Sequence, residues 1–471
     1  MEGTIKASGN PTKGFFINML TRDIELNDAI LDLLDNCLDG VVRIRKGESI
    51  ERESSNYYAG YNAKITITSN SFTIEDNCGG IPFEIAKDRA FRMGRDENAP
   101  REDSATVGIY GIGMKRAIFK IGKSAKVESR TDTVSFDVDI PREWETQEDW
   151  DFPISIINST AADKGTKITI CDINEPIKQI WSEEGHLSNF VTELINHIRE
   201  SYSLIIERGF SVSVNDIVVV ANKVSFVFSQ DEKGIKPFIY QNRIGNVSVR
   251  LAVGFYAAPP TVDESDSMAE RTPRRSGDAG WTVICNDRVV LYNNKDHLTG
   301  WGENGVPKYH TQFIGIRGIV EFSSNNPAEL PMTTTKRGVD LASPIYSDVK
   351  KKMCEGLKLF TNFTNDWKGT ANADTQFFSK SRDVTLVDLV TNNLIESKGS
   401  TIKYSPTRDG GRQFKPILPK PEKEKGDTIW IRFAAKESEC NAVSEFLFEE
   451  IRLPSEVGEA CYKRALAEAQ Q

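Results

Sequence analysis

The sequence predicts an α+β fold made of several structural units. The chain has 471 residues, 39% of them hydrophobic and 27% charged, and at about 150 residues per domain this length allows about three units. Helix-like and strand-like patterns alternate through the first third, which is typical of a mixed layer with an open sheet. From about residue 190 short strand-like runs dominate. This composition excludes a single small module and a disordered chain.

The first block combines helices and strands. Helices are predicted near 23–39 and 113–120, because apolar residues recur there at helical spacing. The strand-like runs are KITITS and SFTIED near 64–76, followed by KVESRT, VSFDVD and TKITIC. We therefore expect an open sheet with helices packed on it.

The second block contains more strand than the first. It begins with the helical pattern NFVTELINHIRESYSLII at 189–206 and continues with FSVSV, NVSVRLAVGFY, WTVICN, RVVLYN and GIRGIVEF. These short β-like runs predict a second α+β unit. A stretch rich in Pro, Gly and Ser at 257–280 interrupts the strands and is interpreted as a mobile insertion.

The last part of the chain is predicted to be mainly helical. Helices are expected near 344–366 and 384–397. Residues 398–426 carry eight basic and three acidic side chains and four prolines, which indicates a basic linker. The segment TIWIRFAAKESECNAVSEFLFEE then predicts a small strand-helix unit.

Charge and cysteine content exclude several classes of protein. The 59 Lys and Arg against 68 Asp and Glu give a net charge of −9, whereas a dedicated nucleic-acid coat protein is basic. The seven cysteines form no CxxC pair and the four histidines no HxxxH pair, so neither a disulfide framework nor a structural zinc site is indicated. Apolar runs fall short of the ~18 residues of a spanning helix. We expect a soluble cytoplasmic protein without a membrane partner.

The first of three motifs is a helix with an acidic face. Its apolar side carries Leu26, Ile30, Leu33, Leu34 and Cys37, and its opposite side carries Asp28, Asp32, Asp35, Asn36 and Asp39. One interpretation is a solvated acidic face. The other is a site for a cation or a donor-rich ligand, since the carboxylates repel one another and Asp28, Asp32 and Asp35 have no Lys or Arg four residues away on that face.

The second motif is SFTIEDNCGGIP at 71–82. A strand ends at Asp76, and Gly79 and Gly80 let the backbone turn sharply and approach a flat ligand. A buried carboxylate there could accept a hydrogen bond from an amino group. The alternative is a plain β-turn, because DN and GG are common turn formers.

The third motif is VGIYGIGMKRAIFKIG at 107–122. Gly108, Gly111 and Gly113 precede a helix, so backbone N–H groups and the positive helix end are offered to an anion, and Lys115 adds charge. The spacing is GxxGxG, which is neither a dinucleotide fingerprint nor a P-loop. The motif by itself predicts an anion site.

In this order, the three motifs resemble the Bergerat ATP-binding fold of the GHKL superfamily. That superfamily includes DNA gyrase B, the ninety-kilodalton heat-shock chaperones, histidine kinases, MutL proteins and MORC ATPases. The segment GTKITI at 165–170 looks like the family's late Gly-Thr strand beside the adenine. The resemblance covers about residues 15–172 and implies an α/β sandwich that binds ATP with Mg²⁺.

The resemblance assigns a role to each motif residue. Asn36 would coordinate Mg²⁺, Asp76 would accept the adenine amino group with help from Thr166, and Gly79 and Gly80 would form the turn beside the base. Gly108, Gly111, Gly113 and Lys115 would hold phosphates below a lid at 92–108, a polar stretch that could order over ligand.

Two residues depart from the family pattern. Asp32 stands where hydrolysing members usually have Glu as the base that polarises water. Its stem is shorter by one methylene, so we expect slow hydrolysis. Cys78 stands where many members have glycine, and we expect it to alter the turn rather than the chemistry.

The downstream block is similar to the transducer domain of the gyrase B, MutL and MORC branch, a fold related to a ribosomal protein. No His precedes residue 186, which argues against a histidine kinase. The segment ELPMTTTKRGVD at 329–340 looks like the loop that delivers a lysine to the γ-phosphate, a role that falls on Lys336. The alternative is a solvated Lys beside Arg337. Stand-alone prokaryotic and MORC-like proteins are the most similar members.

Five regions follow from these patterns and this resemblance. They are an ATP-binding domain at 1–175, a transducer domain at 176–345, a helical region at 346–397, the Pro-rich basic linker at 398–426 and a small strand-helix unit at 427–471.

The functional expectation is a Mg²⁺-dependent ATPase that works as a conformational clamp. ATP would order the lid and close a homodimer through residues 1–22, and hydrolysis would reopen it. The alternative is a nucleotide-gated scaffold or chaperone-like protein that barely hydrolyses ATP. A DNA or protein partner is possible, with 398–426 and 270–277 as the basic segments, and the relatives suggest a setting such as phage defence.

Overall fold

The structure is a computed structural model that describes most of the chain. It covers residues 12–46, 54–92, 94, 111–157, 164–222, 224–229, 231, 234–259, 276–367, 377–378, 381–385, 388, 403–421 and 434–470. The chain divides into two compact units, Met1–Lys420 and Pro421–Gln471. The first unit contains two large sheets, each with its own hydrophobic core. Within these ranges, no helix is long and apolar enough to cross a lipid bilayer.

Helices form where the apolar spacing predicts them in most of the described chain. The α-helices are α1 Lys13–Arg22, α2 Leu26–Arg45, α3 Phe83–Ile85, α4 Gly113–Ile121, α5 Glu175–Ser182, α6 Glu184–Ser201, α7 Ser203–Glu207, α8 Pro344–Asp366, α9 Glu437–Phe448 and α10 Pro454–Ala469. The predicted helices near 23–39, 113–120 and 344–366 are confirmed as α2, α4 and α8. The pattern at 189–206 corresponds to α6 and α7, which are separated at Tyr202.

The first sheet has eight strands in the order β5-β4-β3-β6-β2-β1-β7-β8. The strands are β1 Asn62–Ile67, β2 Phe72–Asp76, β3 Gly122–Arg130, β4 Ser135–Ile140, β5 Ile154–Ile157, β6 Gly165–Ile173, β7 Ser211–Val214 and β8 Ile217–Val218. All neighbours are antiparallel except β1 and β7. Buried side chains of α2, α4 and α6 join those of the sheet in one core, which makes this part an α/β layer structure.

The first layer extends beyond the expected boundary at residue 175. Strand β7 pairs in parallel with β1 from Asn62 and Ser211 onward. Val212 and Val214 on β7 are buried, and the first core continues to Val219. Strand β7 at Ser211–Val214 is therefore part of the first sheet, although it follows the expected boundary.

The second sheet has seven strands in the order β13-β12-β14-β11-β10-β17-β16, beside a separate pair β15-β9. The strands are β9 Ser225–Ser229, β10 Phe238–Ile244, β11 Val247–Phe255, β12 Gly280–Cys285, β13 Arg288–Asn294, β14 Ile316–Ser323, β15 Ser381–Thr385, β16 Ser405–Pro406 and β17 Arg412–Phe414. Helix α8 packs its apolar face into this sheet's core. A sheet covered by a long helix fits the strand-rich pattern of the second block, while the transducer assignment stays a prediction.

Two segments of the last part differ from their sequence patterns. The helix predicted from 384 begins inside strand β15, whose Val384 is buried against β9; most of the remaining predicted helix lies outside the described residues. Part of the expected linker at 398–426 forms β16 and β17, which extend the second sheet beyond β10. Phe414 supplies the buried side chain that holds this hairpin, and DNA binding by the segment stays a prediction.

The β12–β13 hairpin of the second sheet contacts the first layer and is bound to it through buried side chains. Asn286 and Asp287, with φ of +48° and +69°, form the two-residue turn between β12 and β13, a conformation that Asn and Asp tolerate. The Asp287 carboxylate accepts hydrogen bonds from the Tyr58 hydroxyl at 2.7 Å and the Arg208 guanidinium at 2.7 Å. All three of these side chains are buried, so the hairpin tip is an ionic anchor between the two sheets.

The C-terminal unit contains α9 and α10. The predicted strand TIWIRF at 428–433 lies outside the described residues, and α9 begins just after it at Glu437. Helix α10 is an additional element that the sequence analysis did not predict. The Ser444 hydroxyl bonds Glu450 O at 2.9 Å and accepts from Arg452 N at 2.8 Å, which ties the turn between the helices.

Candidate functional site

A pocket of about 960 Å³ opens between the first sheet, α2, α4 and the loop at 326–336. The predicted site residues that line it are Asp32, Asn36, Asp76, Gly80, Gly111, Gly113, Lys115, Thr166 and Lys336. Gly79 lies in the adjoining turn, and Gly108 and most of the expected lid lie outside the described residues. The fold therefore brings together predicted residues that are up to 304 positions apart.

The acidic side of α2 divides between the pocket and partners from distant segments of the chain. Asn36 is exposed and lines the pocket with Asp32 and Asp39. Asp35 points instead into a buried cluster, and Asp28 pairs with Arg337. The interpretation of the whole acidic face as a site for a cation or a donor-rich ligand is therefore wrong for Asp28 and Asp35, whose partners come from distant segments that helical spacing cannot reveal.

Asp35 is the centre of the buried cluster. Its Oδ1 accepts hydrogen bonds from the Tyr202 hydroxyl at 2.6 Å and from Arg288 Nε at 3.1 Å, and its Oδ2 accepts one from Lys336 Nζ at 2.7 Å. Burial tends to raise the pKa of Asp35, but the charges of Lys336 and Arg288 outweigh it and hold the pKa below its ordinary value. Arg288 follows the hairpin turn, so the same hairpin anchors the second sheet twice.

Asp32 is held by two cations. Its Oδ1 accepts a hydrogen bond from Lys336 Nζ at 3.1 Å, and its Oδ2 forms an ion pair with Arg116 Nη2. Gly113 lies directly against it, because a Cβ built there would be 3.3 Å from the Asp32 side chain. Arg116 is a pocket residue that the sequence analysis missed, although it directly follows Lys115 in the third motif.

Lys336 lies at the tip of a tight loop. Thr333 N donates to Gly338 O at 3.0 Å and Lys336 N donates to Thr333 O at 2.9 Å, while Lys336 itself takes a φ of +57°. Only 7% of the residue is exposed, which excludes the solvated alternative. Burial tends to lower its pKa, but the Asp35 and Asp32 carboxylates raise the pKa above its ordinary value, so the side chain is an ammonium.

The Asp76 end of the pocket is a tight backbone cradle. Asp76 Oδ1 accepts from Cys78 N at 2.7 Å and from Thr166 N at 3.3 Å, and burial raises the pKa of this carboxyl. Gly165 allows β6 to start here, since a Cβ on it would lie 1.8 Å from Asp76 O. Gly165 is the glycine of the Gly-Thr segment at 165–170, in which the resemblance assigns a role only to Thr166.

Glycines are also required in the adjoining turn. Gly79 and Gly80 adopt φ of +85° and +74°, which confirms the sharp turn that the second motif predicts. A Cβ on Gly40 of α2 would be 2.5 Å from Cys78 O, so this glycine, which no motif indicated, lets the helix approach the turn. Cys78 itself is buried and lies outside the left-handed region, so its backbone does not require glycine.

The start of α4 faces the pocket, as the third motif predicts. Gly111, with a φ of +66°, precedes the nine-residue helix, and an α-helix offers unpaired N–H groups at its N-terminus. Lys115 Nζ donates to Ala90 O at 2.8 Å and to Gly111 O. Burial lowers the pKa of Lys115 to about 8. Its ammonium thus connects the two residues Ala90 and Gly111, which flank the predicted lid at 92–108.

The residues present fit a nucleotide-borne Mg²⁺. No cluster of three His, Cys, Asp or Glu ligands occurs among the described residues, so a cage made of protein ligands alone is not offered there. Mg²⁺ usually keeps several waters and binds one or two protein oxygens together with substrate phosphates. Asn36 presents an amide oxygen on the pocket wall, with the carboxylates of Asp32 and Asp39 beside it.

Comparison with known proteins agrees with this arrangement for the N-terminal part of the chain. A search of the curated proteins finds no significant match. Residues 24–170, which contain α2, β1, β2 and α4, match the family model for histidine kinase-, DNA gyrase B- and HSP90-like ATPases, and this match supports assigning this region to the GHKL-type ATPases, which bind and hydrolyse ATP.

Proposed function

We propose that the chain is a Mg²⁺-dependent ATPase whose substrate occupies the 960 Å³ pocket. The observation that carries this proposal is the convergence on one pocket of Asp76, Asn36, the start of α4 and Lys336. The adenine amino group would donate to Asp76 within the glycine cradle. The phosphates would extend towards the α4 N-terminus, where backbone N–H groups and Lys115 favour an anion.

Hydrolysis needs a base and a cation near the terminal phosphate. In the proposed reaction a water oxygen attacks the γ-phosphorus, the bond from that phosphorus to the bridging oxygen breaks to release ADP, and Asp32 takes a proton from the water. Lys336 would stabilise negative charge on the γ-phosphate. Mg²⁺, held by Asn36 and the phosphates, would neutralise part of the substrate charge.

We expect this reaction to be slow. The short Asp32 stem limits its reach, and both of its oxygens are bound by cations in this structure. The attacking water must compete with these two cations for the carboxylate oxygens.

Replacing Asp76 with asparagine is expected to weaken ATP binding about 10- to 100-fold. The reason is the loss of a charged acceptor for the adenine amino group, since hydrogen bonds to charged groups contribute about 1.5–3 kcal/mol. Calorimetric titration of the full chain with a non-hydrolysable ATP analogue measures the change. Asp137→Asn is the matched control, because this paired carboxylate of β4 lies outside the pocket lining. Equal affinity of wild type and Asp76→Asn would reject Asp76 as the adenine acceptor.

The clamp function rests on dimerisation through the N-terminal segment. Phe15 and Met19 lie one helical turn apart on α1 and are 62% and 57% exposed, so they could pack against a second copy of the chain. We expect sedimentation with the ATP analogue to give twice the monomer mass, and Phe15→Ser/Met19→Ser to abolish this shift. A monomer mass at saturating analogue would contradict the homodimer clamp.

A nucleotide-gated scaffold is the second candidate. It is favoured by the double pairing of Asp32, because each of its oxygens already holds a cation with which water must compete. The two candidates differ in whether bound ATP is consumed in a single turnover. Protein clients and a role in antiviral defence stay predictions.

A further inference from the structure

Arg116 is a pocket residue with one strong partner and one unused donor. It lies on α4, lines the pocket and is 15% exposed. Its Nη2 pairs with Asp32 Oδ2. Its Nε is buried and has no hydrogen-bond partner among the residues that the structure describes. A buried guanidinium N–H without an acceptor is unfavourable, so the arrangement favours an added acceptor on the pocket side.

Each oxygen of Asp32 holds a cation, so an attacking water must compete with Lys336 or Arg116 for the carboxylate. Lys336 is the more firmly held cation, because Asp35 binds it at 2.7 Å in addition to Asp32 at 3.1 Å. Among the described carboxylates, Arg116 has an ion pair only with Asp32. Arg116 is therefore the cation that an anionic ligand displaces more easily.

A guanidinium is well suited to that exchange. Its planar N–H groups bind phosphate oxygens in pairs and keep their charge at any physiological pH. The γ-phosphate of ATP offers three such oxygens close to the base that activates the attacking water, whereas ADP lacks this group.

We propose that Arg116 is a γ-phosphate sensor, which leaves Asp32 for the terminal phosphate of ATP and thereby makes Asp32 Oδ2 available to the attacking water. This inference rests on the proposed ATP site. It adds a residue that distinguishes ATP from ADP and couples recognition of the γ-phosphate to activation of the base.

The test is the ratio of dissociation constants for ADP and for the imido analogue of ATP. We expect Arg116→Ala to weaken binding of the analogue about tenfold or more, the effect of one lost charged contact. Binding of ADP should change less than threefold. Arg116→Lys should keep part of the preference, because an ammonium is a single-point phosphate ligand. The matched control is Arg43→Ala, at the Asp76 end of the pocket, which should affect both nucleotides equally.

A second variant approaches the same ion pair from the other side. Asp32→Asn removes the charge that holds Arg116, so binding of the analogue should tighten about threefold or more while ADP binding is unchanged. This measurement decides the question if Arg116→Ala does not fold.

An unchanged ratio in both Arg116→Ala and Asp32→Asn would overturn the sensor role. If the wild-type chain binds neither nucleotide, the proposed function fails instead, and the two failures are distinguishable.

Discussion

Asp32→Asn is expected to lower single-turnover ATP hydrolysis by about a hundredfold to ten-thousandfold while ATP remains bound. The amide cannot take the proton of the attacking water, and general-base catalysis typically contributes a rate factor of this size. Rapid mixing of excess protein with radiolabelled ATP and quenching at intervals measures the rate. The structure supports the choice of Asp32, because it is the carboxylate next to Lys336 and the start of α4 on the pocket wall.

The matched control is Asp28→Asn. Asp28 lies one helical turn before Asp32 on α2, but it pairs with Arg337 and is not part of the pocket lining. We expect its hydrolysis rate to stay within about threefold of wild type, since ion pairs near the surface contribute little. Wild-type turnover by Asp32→Asn would remove Asp32 from the role of base.

Asp35→Ala is expected to lower the free energy of unfolding by about 3–5 kcal/mol. The substitution leaves Arg288 buried without its carboxylate partner and removes one of the two carboxylates that bind Lys336. Breaking a buried ion pair by removing one partner has an effect of this size. Urea unfolding followed by tryptophan fluorescence measures it. A loss below about 1 kcal/mol would show that the cluster does not hold the two sheets together.

The same residue predicts a pH dependence of stability. The pKa of Asp35 is lower in the folded chain than its ordinary value, so the unfolded chain binds the proton more readily. The contribution of the Asp35 carboxylate to the free energy of unfolding is therefore fully present above the unfolded pKa of about 3.9 and is lost as the pH falls below it. We expect the free energy of unfolding of Asp35→Ala to depend less on pH in this acid range than that of wild type. Asp35→Asn should reduce the pH dependence equally while keeping a similar side-chain volume.

Local periodicity predicts much of the fold. Helices α2, α4 and α8 and the strands β1 and β2 lie close to their predicted positions, since each has an apolar face that repeats at the period of its element. The strand β15 could not be predicted in this way. Its Val384 is buried by a neighbour more than 150 residues earlier in the chain, and such pairing overrides local propensity.

The site is predictable where its residues form short motifs. The three N-terminal motifs supply the pocket residues Asp32, Asn36, Asp76 and Gly113. Lys336 also lines the pocket, and it lies in a loop that the family resemblance indicates. The Asp35–Arg288 pair spans 253 positions, and no local pattern indicates it. The interpretation of this acidic face of α2 as a ligand site is consequently wrong for Asp35, which binds Arg288 of β13 and Lys336, and for Asp28, which pairs with Arg337.

Single-turnover hydrolysis by the wild-type chain tests the central claim most directly. The full chain is mixed with substoichiometric radiolabelled ATP and Mg²⁺, and the products are compared with those formed with EDTA present. We predict complete conversion to ADP and phosphate with Mg²⁺, a much slower conversion with EDTA, and a much slower conversion by Asp32→Asn. Bound ATP that remains intact in the wild-type protein after prolonged incubation with Mg²⁺ would contradict the ATPase and favour the scaffold.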